Sequence, residues 1–341
     1  MKIAVIGSGG WGLAMAKCMA EKGHAVTVWS HKAETTAMLR EKRCNPKLLK
    51  GITMPERIGF TDDIGCVAGC SIVVVAVPSF AVCDTARMMK PHLAEGQVLV
   101  LLSKGFDLKN GCCLLSDTLT REIGEICPVV ALTGPSHAEE VSRGIPTAVL
   151  AASPCKEAAE LVQRELTTDY FRVYTSPDIV SAELGGAMKN IMAVAVGISD
   201  CYGYGDNTKA MLMTRGISEM ARLGQMLGGD ARTFSGLSGV GDLIVTCVSN
   251  HSRNRRFGLL VGGGMAVEQA LEEVGAVVEG YFATQAVRQL TQDKNVDMPI
   301  CHAMYRILVE RAPLDEVISA LLQRATRAEH DVYEAGELWN G

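Results

Sequence analysis

The feature that most constrains the fold is at the start of the chain, Lys2-Ile3-Ala4-Val5-Ile6-Gly7-Ser8-Gly9-Gly10-Trp11-Gly12. A β-branched run, Ile3–Ile6, leads into glycines at 7, 9 and 12. A helical pattern, Trp11–Lys22, and a second strand-like run, Ala25–Trp29, follow. GxGxxG between a strand and a helix is the opening of a dinucleotide-binding βαβ unit. Gly7 permits the tight turn, Gly9 lets the backbone approach a pyrophosphate, and Gly12 lets helix and strand pack closely. The free N–H groups of the helix start then stabilise phosphate charge. A purely structural glycine turn is the competing reading.

The end of the second strand bears on the choice of coenzyme. An acidic residue there would bond the ribose 2′-hydroxyl of NAD. The chain instead has Trp29-Ser30-His31-Lys32. His31 and Lys32 suit a 2′-phosphate, which favours NADP(H) and leaves NAD(H) open. Both could equally be solvated loop residues.

Further runs at Ile72–Val77, Val98–Leu102, Val129–Leu132 and Thr147–Ala151 read as strands. Several are apolar throughout, the mark of strands covered on both faces. Helical patterns separate them at Lys32–Arg40, Ala81–Met89, Leu114–Glu125 and Cys155–Leu166. After about Pro177 strand-like runs nearly vanish, and helices are expected over Ala182–Ile198, Lys209–Leu227, Ala266–Val274, Tyr281–Gln292, Ile300–Arg311 and Leu314–Ala325. Gly262-Gly263-Gly264 reads as a loop before a helix. The expected fold is α/β, an N-terminal Rossmann-like doubly wound, mostly parallel sheet with an all-α C-terminal domain. The expected domains are 1–180 for the dinucleotide and 181–341 for substrate and catalysis, meeting near Asp178–Glu183 without a flexible linker. The tail from Ala328 is polar.

Composition narrows the function classes. Lys and Arg total 33 against 38 Asp and Glu, a net charge of -5. This argues against a nucleic-acid-coating protein. No apolar run approaches the roughly 18 residues of a membrane span, so no membrane insertion is expected. The start lacks a signal-peptide pattern, which favours the cytoplasm. The 12 cysteines form no CxxC pair, and read as small buried hydrophobes in a reducing compartment.

Several polar residues stand where chemistry is expected. Ser103-Lys104-Gly105 follows one strand and Thr133-Gly134-Pro135-Ser136-His137-Ala138 another; ligands of open α/β sheets bind beyond such strand ends. Ser136 could instead be an ordinary helix N-cap. Lys189 lies in Ala187-Met188-Lys189-Asn190-Ile191-Met192-Ala193-Val194. Burial in so apolar a helix lowers a lysine pKa towards neutrality and suits it to proton exchange; a snorkelling lysine or a buried ion pair is the alternative. Gly239-Val240-Gly241-Asp242 presents a carboxylate on a glycine turn, or is an Asx turn or helix cap. Ser252-Arg253-Asn254-Arg255-Arg256 offers donor forks suited to phosphate, or is a solvated basic turn.

Together with Val77-Pro78-Ser79, Glu139-Glu140-Val141 and Val278-Glu279-Gly280, these motifs resemble the bacterial-type NAD(P)-dependent glycerol-3-phosphate dehydrogenases, in the family's order from residue 7 to about 280. The resemblance implies reversible conversion of sn-glycerol 3-phosphate and NAD(P)+ into dihydroxyacetone phosphate and NAD(P)H, feeding phospholipid synthesis. It implies Lys189 as general acid–base and a substrate site of Lys104, Gly134, Ser136, Lys189, Asp242, Ser252, Arg253 and Asn254, with Asp242 expected to orient Lys189 or a substrate hydroxyl and to oppose the desolvation of the amine. The coenzyme is expected to meet Gly10, Trp11, His31, Lys104, Ala138, Arg253, Val277 and Glu279, with Lys32 added on the charge argument. A homodimer is expected from the family, and no metal is implied. Gly10 stands where the family often has serine or alanine, and His31 where arginine is also common. Cys112-Cys113 has no assignable role. Two other readings are a β-hydroxyacid dehydrogenase of the same plan, taking a carboxylate, and a non-enzymatic dinucleotide-binding redox sensor.

Overall fold

The computed structural model describes residues 1–326 and residue 329. The polar tail from Ala328 lies outside the described residues apart from Glu329. The strands are β1 (Lys2–Ile6), β2 (Ala25–Trp29), β3 (Gly59–Thr61), β4 (Ile72–Val75), β5 (Val98–Leu101), β6 (Phe106–Asp107), β7 (Cys113–Leu114), β8 (Val129–Thr133), β9 (Thr147–Ala152) and β10 (Phe171–Ser176). Eight of them form one sheet in the order β10-β9-β8-β5-β4-β1-β2-β3, while β6 and β7 make a small hairpin. Every pairing in the large sheet is parallel except β8 with β9. The strand order reverses between β1 and β4, the place where open α/β sheets bind ligands.

The helices among the strands are α1 (Gly10–Glu21), α2 (Ala33–Lys42), α3 (Val82–Met89), α4 (Leu115–Ile123), α5 (Ala138–Val141) and α6 (Lys156–Leu166). They explain the unalternating apolar strands. Ile3 and Val5 of β1 pack in one core with Leu13 and Val162, whereas Ala4 and Ile6 pack in another with Val82, Leu115 and Leu119. Both faces of each central strand are therefore covered.

Beyond β10 the described chain is helical: α7 (Ile179–Cys201), α8 (Asp206–Met226), α9 (Asp242–Val248), α10 (Arg253–Gly262), α11 (Val267–Val274), α12 (Glu279–Thr291), α13 (Pro299–Leu308) and α14 (Leu314–Leu322). Asp178 caps α7 by accepting from Ser181 N–H at 3.0 Å. Every residue of α7 from Ser181 to Ser199 is buried, so it forms the axis of the helical half. Close approach sets its neighbours. A Cβ on Gly258 of α10 would lie 2.2 Å from the Val194 carbonyl oxygen, and one on Gly197 would lie 2.2 Å from that of Arg255. The backbone contact brings the start of α10 over Lys189 and Asn190.

The structure corrects several expectations. β3, β10 and the β6–β7 hairpin fall in segments with no expected strand, and Leu114 belongs to β7 rather than to a helix. Val77 and Leu102 lie beyond their strands. The arginine cluster starts a helix rather than a surface turn, and Gly262 ends that helix instead of opening a loop. By length and composition α7 could cross a membrane, contrary to the expectation that no run comes close, but 89% of its most apolar window is buried inside the fold. It is a core helix.

Candidate active site

A cleft of about 670 Å³ opens at the C-terminal ends of β1 and β4 and is closed on its far side by α7, α9, α10 and the start of α12. Its floor is an ion triad. Lys189, from the middle of α7, donates to Asp242 Oδ1. Lys104, just past β5, donates to Asp242 Oδ2 at 2.7 Å and to the Gly134 carbonyl oxygen at 3.2 Å. Asp242 is 1% exposed and Lys189 7%. Burial lowers the Lys189 pKa to about 8; Asp242 opposes the shift and Lys104 adds to it. Desolvation thus outweighs the favourable carboxylate, which suits the amine to proton exchange near neutral pH.

Local structure explains how Asp242 reaches this place. Leu237–Gly241 forms a π-helical turn that runs directly into α9, with Asp242 as the first residue of that helix. The turn seats on α7 because Gly185 lacks a Cβ, which would lie 2.1 Å from the Ser238 carbonyl oxygen. Asp242 is therefore neither a helix cap nor an Asx turn; its carboxylate is committed to the two lysines.

A second network stands beside the triad. Asn254 Nδ2 donates to Asn190 Oδ1 at 2.9 Å, and Asn254 Oδ1 accepts from Gly280 N–H at 2.9 Å. The side chain of Ser252 caps α10 by accepting from Arg255 N–H at 3.2 Å. Arg253 lines the cleft. The other two arginines of the cluster turn away, Arg255 to Asp200 at 2.7 Å and Arg256 to Glu273 at 3.1 Å.

The glycine turn lies at the other end of the cleft. Gly7 has φ +124°, and a Cβ there would approach the Ala76 carbonyl oxygen to 2.6 Å. A Cβ on Gly12 would fall 2.2 Å from the Gly7 carbonyl oxygen, whereas none at Gly9 would meet any atom within 4 Å. These are the three tasks expected of the motif. The first turn of α1 has no side-chain cap, and the buried Trp11 Nε1 has no partner among the described residues. Open backbone at Gly9, uncapped N–H groups and an orphaned indole donor together fit a dinucleotide. His31 and Lys32 are exposed at the same end.

Of the residues singled out from sequence, Gly7, Gly9, Gly10, Trp11, His31, Lys32, Lys104, Lys189, Ser252, Arg253, Asn254, Val277 and Glu279 line the cleft. Gly12, Gly134, Ser136, Ala138 and Asp242 are not among the residues that line it. Ser136 does not cap α5; its hydroxyl donates to the Gly134 carbonyl oxygen at 2.9 Å. Ser8, Thr35, Asn45, Thr246, His137 and His251 also line the cleft without having been singled out individually. Thr246 is bound to the triad residue, donating to the Asp242 carbonyl oxygen at 2.6 Å. His137 carries a buried Nε2 with no partner among the described residues, and burial and then Lys189 push its pKa down. It lies within a motif whose hydroxyl and glycines drew the attention.

A doubly wound sheet with a glycine-turn cleft, faced by a buried lysine of tuned basicity, defines a dinucleotide-dependent dehydrogenase. Comparison with known proteins narrows this. The model of the NAD-dependent glycerol-3-phosphate dehydrogenase N-terminus matches residues 2–159 and that of the C-terminus matches residues 178–319. The glycerol-3-phosphate dehydrogenase [NAD(P)+] of Moorella thermoacetica is 47% identical over 323 residues, 94% of this chain and 96% of the relative. The crystal structure of glycerol-3-phosphate dehydrogenase from Coxiella burnetii superposes with a TM-score of 0.90 at 36% identity, covering 95% of this chain and 99% of that one. A yeast structure of the same enzyme class, from Saccharomyces cerevisiae, has a TM-score of 0.81 at 25% identity, covering 95% and 99%. The chain belongs to the NAD-dependent glycerol-3-phosphate dehydrogenase family.

Proposed function

We propose that this protein interconverts dihydroxyacetone phosphate and sn-glycerol 3-phosphate, with Lys189 as the proton-transferring group. The observation that carries the reading is the Lys189–Asp242–Lys104 triad at the floor of the cleft, between the glycine turn and Arg253. The nicotinamide coenzyme, when bound, supplies or accepts the hydride. In reduction the Lys189 ammonium polarises the ketone and gives its proton to the oxygen; in oxidation the amine takes the hydroxyl proton. Asp242 holds both lysines in place. Arg253 and the start of α10 hold the phosphoryl group, so that remote binding aligns the reacting carbon. Lys104, Gly134, Ser136, Ser252 and Asn254 complete the substrate side. The coenzyme side comprises Gly7, Gly9, Gly10, Trp11, Gly12, His31, Lys32, Ala138, Val277 and Glu279, with Lys104 and Arg253 shared. Residues 1–180 then form the coenzyme unit and 181–341 the substrate unit of a cytoplasmic homodimer serving glycerophospholipid synthesis.

The direct test is oxidation of NADPH or NADH followed by absorbance with dihydroxyacetone phosphate. Turnover with this ketone is expected, and none with a carboxylate analogue of the same length; the opposite preference would point to a hydroxyacid substrate. The pH profile carries a sign. Lys189 is ammonium below its pKa of about 8, so kcat/KM for reduction falls as pH rises through that value. For oxidation, which needs the free amine, it rises through the same value. Profiles flat between pH values of about 6 and 10 would remove Lys189 from the proton transfer.

His31 and Lys32 line the cleft just beyond β2, and the sequence places no carboxylate at the end of that strand. Replacing both by alanine is expected to lower the NADPH-to-NADH preference by about tenfold, the loss of one or two charge-assisted phosphate contacts. An unchanged ratio of kcat/KM values would leave coenzyme choice to other residues.

A further inference from the structure

The proposed reaction assigns no task to Ser79, yet three parts of the chain converge on it. Ser79 is buried just beyond Pro78, at the exit of β4, and does not line the cleft. Its hydroxyl donates to Glu279 Oε2 at 2.8 Å and its N–H donates to Oε1 at 3.4 Å. Glu279 is the first residue of α12 and does line the cleft. Gly105, beyond β5, closes the remaining side. With φ +146°, it is a position that favours glycine, and a Cβ there would lie 2.9 Å from Ser79 Cβ and 3.0 Å from Glu279 Oε2.

Arg253 gives this contact its importance. Burial raises the Glu279 pKa, and first Ser79 and then the Arg253 guanidinium oppose that shift, so the carboxylate and the guanidinium feel each other across the cleft they both line. Among the described residues, however, the Arg253 side chain makes no ion pair or hydrogen bond. An arginine and a carboxylate that share a partly dry cleft ordinarily form a bidentate pair, which occupies the fork an anionic ligand needs. Here the carboxylate is held elsewhere. We propose that Ser79 is a positioning residue of this site: by binding Glu279 through its hydroxyl and N–H, it keeps the carboxylate off Arg253 and leaves the guanidinium free for the substrate's phosphoryl group. The inference rests on the reaction proposed above.

The test is a double-mutant cycle in the full chain, assayed with dihydroxyacetone phosphate at saturating NADPH. Ser79→Ala is expected to raise KM for the ketone about tenfold while kcat stays within about twofold, because only ground-state binding is disturbed. In a Glu279→Gln background the side chain no longer competes for the guanidinium, and Ser79→Ala should move KM by less than about twofold. A KM for Ser79→Ala equal to that of the wild type overturns the role, and so does the same tenfold rise in both backgrounds, which would mean general loosening of the loop. The two levels of the reading separate cleanly. A wild-type protein that does not turn over the ketone overturns the proposed reaction, whereas normal wild-type turnover with an unmoved Ser79→Ala KM overturns the Ser79 role alone.

Discussion

Lys189→Ala is expected to lower kcat for ketone reduction by about 10²–10⁴-fold, the usual contribution of a positioned acid or base, while coenzyme affinity stays near that of the wild type. The fold should survive the change. Asp242 keeps Lys104 at 2.7 Å as a counter-ion, so no buried charge is left bare. Lys189→Arg should rescue little, because a guanidinium cannot release its proton in the working pH range. Coenzyme titration and initial rates on the same preparation decide the matter. Turnover within about tenfold of wild type would dismiss Lys189 as the proton donor.

Asp242→Asn should have an effect of similar size with a different signature. The carboxylate is what supports the charged form of Lys189 against burial and against Lys104. Without it two amines face each other in a buried site, and Lys189 loses its proton more readily. The pH limb of reduction, expected near 8 in the wild type, should move to lower pH, and kcat at neutral pH should fall about 100-fold or more. Removing one partner of a buried ionic cluster also costs about 3–5 kcal/mol of stability, which thermal denaturation will read. A lower melting temperature with an unmoved limb would make Asp242 a structural residue only.

The parts of this site that lie close together in the chain were legible beforehand. The glycine turn follows from local geometry, since Gly7 needs a positive φ and Gly12 a bare Cα within five residues of it. The apolar β4 and β5 declare their burial on both faces. Lys189 is conspicuous as a lysine among Met188, Ile191 and Met192. Elements with weaker local signals escaped. β10 alternates buried and exposed residues from Phe171 as an edge strand does, but Arg172, Thr175 and Ser176 break up its apolar pattern. α9 begins in a glycine-rich π turn that has no helical period.

Composition and motif order were enough for the class of fold, the glycine turn of the cleft and the identity of a buried amine, because each depends on neighbours a few residues away. The pairing of that amine with Asp242 was one of the two roles expected for this carboxylate, and the fold bears it out; the balance of forces on the amine did not follow. Asp242 is 53 residues from Lys189 and 138 from Lys104, and Glu279 is 200 from Ser79. Whether desolvation or the carboxylate governs the amine depends on how α7, α9 and the strand ends pack. That packing is a long-range outcome, set by bare glycine backbones meeting across helices, and it exists only once the chain has folded.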